Sequence, residues 1–463
     1  MKRYESYKES GVPWIATIPV DWKKQKNTHL FVERQELSVS GEETLLSLSQ
    51  YTGITLKSNA AKAGMREAES KVGYRIVYKD DIVMNIMLAW NGSTAVSPLD
   101  GIISPAYAIY KPVKGIVPQY FHYLFRIPAV CSYFEANSTG LIKSRLRLYS
   151  DSFKRLFSIV PPLAEQDQIV RYLDWQVSKI NRLIAAKRKQ IDLLQTKRQK
   201  ELSHVMQYGL CTDDPVRDTG LRWIGESPAR WKITALKRCA TLRSGITLGK
   251  QYAHGTKLIS VPYLRVANVQ TGYVDTSDIA ILDVTEEEAV QYQLPTGCVL
   301  MTEGGDRDKL GRGCVWDGSV YPCIHQNHVF AVVTNDKLLS NRYLEYLSAS
   351  DIGRIYFDIT AIRTTNLACT NTTKVLNFTF PLPERDEQEQ IILYLDKEMG
   401  KYDILIKGIQ REIVLLQDLR VRLISDVVTG QVDVRDIEVP EYEMVEEAID
   451  EQEEETEEIM DET

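Results

Sequence analysis

Two stretches of the chain place apolar residues at alternating steps of four and three. The first runs through Leu173, Val177, Ile180, Ile184, Ile191 and Leu194, and the second through Leu395, Met399, Tyr402, Ile406, Ile409, Ile413, Leu416, Leu423 and Val427. This spacing is a heptad seam, and no proline falls inside either stretch. It predicts two helices of roughly 40 residues, each about 60 Å long at 1.5 Å per residue. Pro161-Pro162 and Pro381-Leu-Pro383 stand before them and stop the upstream strand. Arg198 and Arg420 break equivalent seam positions. Each is expected either to snorkel or pair with a nearby carboxylate, or to fix helix register. Between the helices the pattern shortens. Tyr74–Met87, Gly101–Pro112, Val261–Val274 and Cys298–Met301 read as short strands split by Gly, Pro and Asn turns, which predicts mixed α/β regions.

The chain is written twice. Ser10–Lys23 aligns with Thr219–Lys232 at an offset of 209, with six of 14 positions identical, among them Trp14 with Trp223 and Trp22 with Trp231. Glu165–Val205 aligns with Glu387–Val427 without a gap at an offset of 222, with 17 of 41 positions identical. The material between these landmarks is therefore 13 residues longer in the second copy, and it shows little identity with the first. Each copy is large enough to be a domain rather than a rung of a solenoid.

Charge changes the picture once it is divided along the chain. The net charge is -7, but Glu438–Thr463 holds 14 acidic and no basic residues, leaving 56 basic against 49 acidic before it, a net of +7. A tail so charged and poor in aromatics is expected to be disordered. It serves either as a solubiliser or as a competitor with DNA for basic surfaces. The first helix is basic, with nine basic and three acidic residues from Gln168 to His204, whereas Gln390–Gly430 has six of each. Its face is either simply solvated or turned toward phosphates or an acidic partner. No apolar run approaches the ~20 residues that span a bilayer. The seven scattered cysteines include no C-x-x-C pair, so a reducing cytoplasm is expected.

Candidate chemistry points to nucleic acid rather than catalysis. Thr302–Trp316 contains glycines but neither phosphate-loop nor dinucleotide spacing, and reads as a basic loop whose Arg307, Lys309 and Arg312 suit phosphates or guanine edges. Asn85, Trp90, Asn91, Tyr107, Arg265, Asn268, Gln326 and Asn327 have side chains suited to base edges, although turn and surface roles are equally open to them. Lys143 and Arg145 occupy a place in the first copy comparable to Arg363 and Asn366 in the second, just before the helix-opening prolines. Cys323, His325 and His328 lack a fourth ligand and zinc-site spacing, so no metal is expected. Ser104-Pro-Ala-Tyr107 lacks the Asn or Asp of an amino-methyltransferase site.

Together, Pro-x-x-Trp in each repeat (Pro19–Trp22, Pro228–Trp231), the run GYRIVYKDDIVMNIMLAWNGS with GIISPAYAIYKP, and the P-x-x-EQ-x-x-I-x-x-YLD helix opening resemble the specificity subunits of Type I restriction-modification enzymes. The second opening carries one extra residue after Pro383. The resemblance covers nearly the whole chain. It implies an α+β fold of two α/β target recognition domains joined by two long antiparallel helices, a coiled-coil spacer, with a pseudo-two-fold internal repeat. The expected division is 1–160 and 219–380 for the two domains, 161–208 and 381–430 for the helices, 209–218 for a linker and 431–463 for the acidic tail.

What it implies for function is a non-catalytic subunit that binds a bipartite, asymmetric site on double-stranded DNA. Two methyltransferase subunits are expected to dock on the helices, here assigned to Leu173, Val177, Ile180, Ile184, Leu194, Leu395, Ile406, Ile413 and Leu416, with restriction and translocase subunits beyond them. S-adenosylmethionine, ATP and Mg are expected on those partners and no cofactor on this chain. A self-contained methyltransferase-endonuclease lacks its motifs here, and the remaining alternative is a helical adaptor that never reads DNA. The repeat order also reads as a ring cut open, which places residues near 10 and 436 side by side.

Overall fold

Both heptad seams lie on long helices, Leu163–Tyr208 and Arg385–Val428. The structure, a computed structural model, describes residues 2–50, 53–57, 70–211, 213–305, 310–311, 313–363 and 368–445. It divides into two units, Met1–Lys189 with Ile409–Thr463, and Gln190–Gly408.

In the first unit an antiparallel sheet runs in the order Phe31–Arg34, Tyr107–Pro112, Ile82–Asn85, Thr94–Val96. Helices Pro118–Leu124 and Pro128–Ala136 follow, each with proline in its first turn, where the missing N–H is not needed. Strand Phe157–Val160 pairs with Lys23–Lys26 and delivers the chain into the long helix. The second unit repeats this plan: Ala240–Ser244, Val329–Thr334, Val299–Thr302 and Gly313–Val315 form a sheet of the same order. Helices Asn341–Ala349 and Asp351–Thr360 and the strand pair Lys232–Ala235 with Thr379–Leu382 occupy the corresponding places. Regions with little sequence identity thus share one frame. What differs is inserted material: hairpin Leu46–Ser49 with Gly53–Leu56 in the first unit, and in the second a sheet of Ala280–Val284, Ile259–Leu264 and Ile324–His325.

The units cut across the helices instead of setting 161–208 and 381–430 apart as separate segments, and burial explains this. Ile169, Tyr172, Leu173, Ile180 and Ile184 share the first unit's core with Trp22, Tyr120 and the far end of the second helix, Leu423, Val427 and Val428. Ile391, Leu395, Met399 and Tyr402 share the second unit's core with Trp231, Tyr343 and Leu202, Val205 and Met206. Each helix therefore completes a hydrophobic core at both of its ends.

Within each unit the two helices run antiparallel. In the first, Lys187 pairs with Glu412 at 2.5 Å and Arg420 donates to the Asn181 side-chain oxygen at 2.9 Å. In the second, Arg198 lies 3.5 Å from Asp403, and Glu201 accepts from Tyr402 at 2.6 Å. Both seam arginines are thus engaged by the opposite helix.

Glycine closes each long helix against a tryptophan. Gly209 (φ +76°) and Gly430 (φ +72°) take the left-handed conformation that ends helices. A side chain at Gly209 would meet the Trp231 ring at 2.9 Å, and one at Gly430 would meet Pro19 at 2.5 Å and Trp22 at 3.2 Å. Beyond Gly430 the chain is held to the first unit by hydrogen bonds as far as Val445, against the expectation of a tail from 431. Val432, Asp433 and Val434 are buried, and the Asp433 N–H donates to the Lys2 carbonyl at 2.9 Å. Lys2 also pairs with Asp436 at 2.8 Å, and the Tyr7 hydroxyl donates to the Gly430 carbonyl at 3.0 Å, so the two ends of the ring do meet. Residues 446–463 lie outside the described residues. Among the described residues no helix is long and apolar enough to cross a membrane.

Candidate nucleic-acid interface

In each unit, the loop joining a central sheet strand to an edge strand meets a loop that precedes the short helix and strand leading into the long helix. In the first unit, residues 86–93 link strands Ile82–Asn85 and Thr94–Val96. Asn85 is buried, and its side-chain oxygen accepts the Met87 N–H at 3.0 Å. Asn91 accepts from the Ser93 N–H at 3.2 Å and the Ser93 hydroxyl at 2.9 Å. The side-chain oxygens of both therefore hold the turn, and burial takes Asn85 away from the surface. Trp90 donates to the Met87 carbonyl at 2.9 Å, and the Lys143 ammonium stands 5.5 Å from its ring centroid. The Leu148 N–H donates to the Ile86 carbonyl at 2.8 Å, which ties the two loops together.

The loop that carries Lys143 and Arg145 is closed by paired backbone bonds between Thr139 and Arg147, at 2.9 and 3.0 Å. Lys143 is paired with Glu135 at 3.2 Å but stays 70% exposed. Arg145 and Arg147 are exposed as well. At the tip, Leu141 is fully exposed and Ile142 mostly so. Sequence reasoning missed these two, although an apolar pair beside three cations in a polar loop was visible. Tyr107 is buried in the sheet opposite Asn85 and lines a depression with Glu33, Arg75, Ile86 and Tyr149.

The second unit forms the corresponding corner from backbone. Residues 303–312 link strands Val299–Thr302 and Gly313–Val315, and Gly304-Gly305 pairs with Ala368-Cys369, which pairs in turn with Ile362-Arg363. Arg307, Lys309, Arg312 and Asn366 lie outside the described residues, as does the side chain of Arg363. The Glu303 N–H donates to the His328 carbonyl at 2.9 Å, and its carboxylate bonds the His328 ring, so the Gln326–His328 turn adjoins the same loop.

Gln326 accepts from the Val266 N–H at 3.4 Å, and this links the turn to Arg265 and Asn268. Asn268 is buried. It accepts the Arg265 N–H and donates to the carbonyls of Asp275 and Asp278, each at 2.9 Å, so it organises a turn and offers no edge to a base. Arg265 is held by Asp278 at 2.8 Å. Asn327 is half-buried on the same turn.

Among the described residues at these corners, Cys323 and His325 are withdrawn from solvent. Burial pushes the Cys323 thiol up to about 12 and His325 down to about 4, and the His325 ring bonds the Val329 carbonyl at 2.7 Å. Among the described residues no group of three or more His, Cys, Asp or Glu converges. The arrangement offers cations, an aromatic face and exposed apolar tips, which are means of binding.

The residues expected to dock partners need correction. Leu173, Ile180, Ile184 and Leu395 are buried in the chain's own cores, and Val177, Leu194, Ile406, Ile413 and Leu416 are partly buried. Exposed instead are two pairs of leucines identical between the repeats: Leu183 (52%) with Leu405 (53%), and Leu193 (63%) with Leu415 (66%). Their identity between the repeats, off the seam, is visible in the sequence.

No protein-family profile matches the chain. It is 23% identical over 292 residues to the Type I restriction enzyme EcoKI specificity subunit of Escherichia coli (strain K12), a match covering 60% of this chain. The chain spans 58% of that curated relative's length. A solved chain from a study of complex assembly and conformational transition of the type I R-M system is similar in fold, with a TM-score of 0.65 and 15% identity over 90% of this chain and 99% of that one. The HsdS subunit from Thermoanaerobacter tengcongensis is 17% identical over 90% of this chain and 98% of its own, with a TM-score of 0.45. In sequence, then, this chain is similar to a specificity subunit of a Type I restriction enzyme, and in fold to a chain from a type I R-M system.

Proposed function

We propose that the chain is the DNA-reading, non-catalytic subunit of a Type I restriction-modification complex. The observation that carries this reading is the duplicated frame with unlike corners. One sheet order and one loop pairing occur twice, yet Trp90, Lys143 and Arg145 stand in one corner while the other carries a glycine-rich basic loop. Two such corners read two different half-sites, so the recognised sequence is bipartite and asymmetric. The long helices act as the spacer between the reading domains.

The exposed leucine pairs support docking of two partner copies. The recurrence of exposed leucines at the same repeat positions fits one methyltransferase subunit on each set. S-adenosylmethionine, ATP and Mg then belong to the methyltransferase and restriction subunits. The body's net charge of +7 is modest, so the isolated chain binds DNA weakly and the partners complete the grip.

Gel-shift titrations across salt, with and without methyltransferase subunits, test this. The account expects tight, steeply salt-dependent and sequence-selective binding once partners are present. A complex that assembles but shows no such binding is an adaptor, the alternative reading.

A further inference from the structure

The loop that carries Leu141 and Ile142 is built to hold them still. At its base the Asn137 amide donates to the Tyr133 carbonyl and the Ser138 hydroxyl to the Phe134 carbonyl, both at 2.8 Å, so the loop grows out of the capped end of helix Pro128–Ala136. Above the paired bonds between Thr139 and Arg147, the Arg145 N–H donates to the Ile142 carbonyl at 2.9 Å and the Leu146 N–H to the Lys143 carbonyl at 3.2 Å. These bonds curl Lys143–Arg145 into a single tight helical turn. Gly140 sits at φ +153°, and a side chain there would meet the Arg145 carbonyl oxygen at 2.5 Å and the Leu146 Cα at 3.0 Å. The loop is thus folded back on its own backbone, a close approach that glycine permits.

This closed turn buries Leu148 and half-buries Leu146, yet leaves Leu141 fully exposed and Ile142 54% exposed. Single exposed leucines are ordinary. Two adjacent apolar residues on a preformed tip are different, because the fold has already met the ordering that binding would cost. Their surroundings indicate the occupant. Lys143 is taken by Glu135, but among the described residues no carboxylate pairs with the exposed side chains of Arg145 and Arg147. Free cations around an apolar point suit stacked bases between phosphates. A protein partner fits less well, since a stable interface takes about 800 Å² from each side and the apolar surface here is two side chains wide.

We propose that Leu141 and Ile142 form a wedge that enters a base step in the half-site read by the first unit, unstacking it while Arg145 and Arg147 hold the flanking phosphates. The wedge rests on the DNA-reading function proposed above and adds a contact without a hydrogen-bond code. The step is selected by how readily it unstacks, pyrimidine–purine steps first. Phosphate contacts set the salt slope of binding, and a wedge leaves it alone.

The test uses the complex assembled with its methyltransferase subunits and duplexes carrying 2-aminopurine, a fluorescent base quenched by stacking. The probe is placed at one position at a time through the half-site that stays constant when residues 233–380 are exchanged, and through its flanks, the methylated adenine excepted. One step is expected to brighten severalfold on binding. Leu141→Ser with Ile142→Ser is expected to abolish the brightening and weaken binding about tenfold with the salt slope unchanged. Because both side chains face solvent, this variant should keep the wild-type melting temperature and, by native mass spectrometry, both methyltransferase copies. No brightening in a wild-type complex that binds its site selectively, or brightening retained by the variant, overturns the wedge. Loss of a methyltransferase copy from the variant overturns it as well, because the tip then docks on protein. A wild-type complex that binds no duplex selectively removes the DNA-reading function itself, and the wedge with it.

Discussion

The Trp22 indole nitrogen donates to Glu165 at 3.0 Å, and the repeat reproduces this contact between Trp231 and Glu387 at the same distance. Each bond ties a Pro-x-x-Trp motif to the first turn of a long helix. The following glutamine completes the clasp: Gln166 accepts the Val117 N–H and Gln388 accepts the Ser340 N–H, both at 2.9 Å. The Glu-Gln pair is therefore architectural, one residue holding the tryptophan and the other the backbone of the preceding domain.

Trp22→Phe keeps most of the buried apolar volume but removes the donor, leaving the buried Glu165 with Tyr4 as its remaining side-chain hydrogen-bond partner. A loss of about 1–3 kcal/mol is expected. Hydrogen exchange should quicken mainly in residues 1–189, and Trp231→Phe should shift the effect to 190–408. Uniform quickening from either change would mean that the two cores do not act separately.

The meeting of Lys2 with Asp433 and Asp436 predicts that new termini are tolerated where the repeat has its other junction. A permutant opened near residue 213, with the natural ends joined by a short linker, should fold and still support methylation. A folded but inactive permutant counts against the closed-ring reading.

Acid should weaken the second unit. Burial lowers the folded His325 to about 4 from its usual 6.5, so the unfolded chain takes up the proton first. Stability is then full above about pH 6.5 and falls progressively toward pH 4, by on the order of 3 kcal/mol. Urea melts of the wild type and His325→Asn between pH 7 and pH 4 would show this as a slope that the variant flattens. Equal slopes would place the acid sensitivity elsewhere.

Partner stoichiometry checks the leucine pairs. Leu183 and Leu415 belong to the first unit, Leu193 and Leu405 to the second. Changing Leu183 and Leu415 to Glu should remove one methyltransferase copy, and changing Leu193 and Leu405 should remove the other, both read by native mass spectrometry. Retention of both copies by either variant would move the docking surface off these residues.

The long helices and the duplication were legible because both rest on local periodicity and direct identity, as in Leu173 to Leu194 and Trp22 with Trp231. The common sheet of the two domains was hidden: its strands are only three to six residues long and are assembled from distant segments, such as Tyr107–Pro112 between Phe31–Arg34 and Ile82–Asn85. The candidate site was only partly readable for a related reason. Asparagine chemistry is the same whether it serves a turn or a base, and only the fold shows that Asn85, Asn91 and Asn268 serve turns. Seam periodicity likewise marks burial without naming what buries it, which is why Leu173 and Leu395 face their own cores and the outward leucines went unseen.

Contacts at the loop corners separate positioning from fold. Lys143→Ala and Arg145→Ala should each weaken DNA binding by the assembled complex and reduce the salt slope by about one. Asn268→Ala should instead lower stability by about 1–3 kcal/mol, because it leaves buried turn groups unpaired. An unchanged slope in the two cation variants would take the first corner out of the interface.

Methylation mapping of host DNA, with and without this gene and in the presence of its partner subunits, tests the central claim most directly. The account predicts a split, asymmetric, adenine-methylated motif that disappears when the gene is removed, and whose second half alone changes when residues 233–380 are exchanged for an unlike insert. An unchanged methylation pattern in an active system would contradict it.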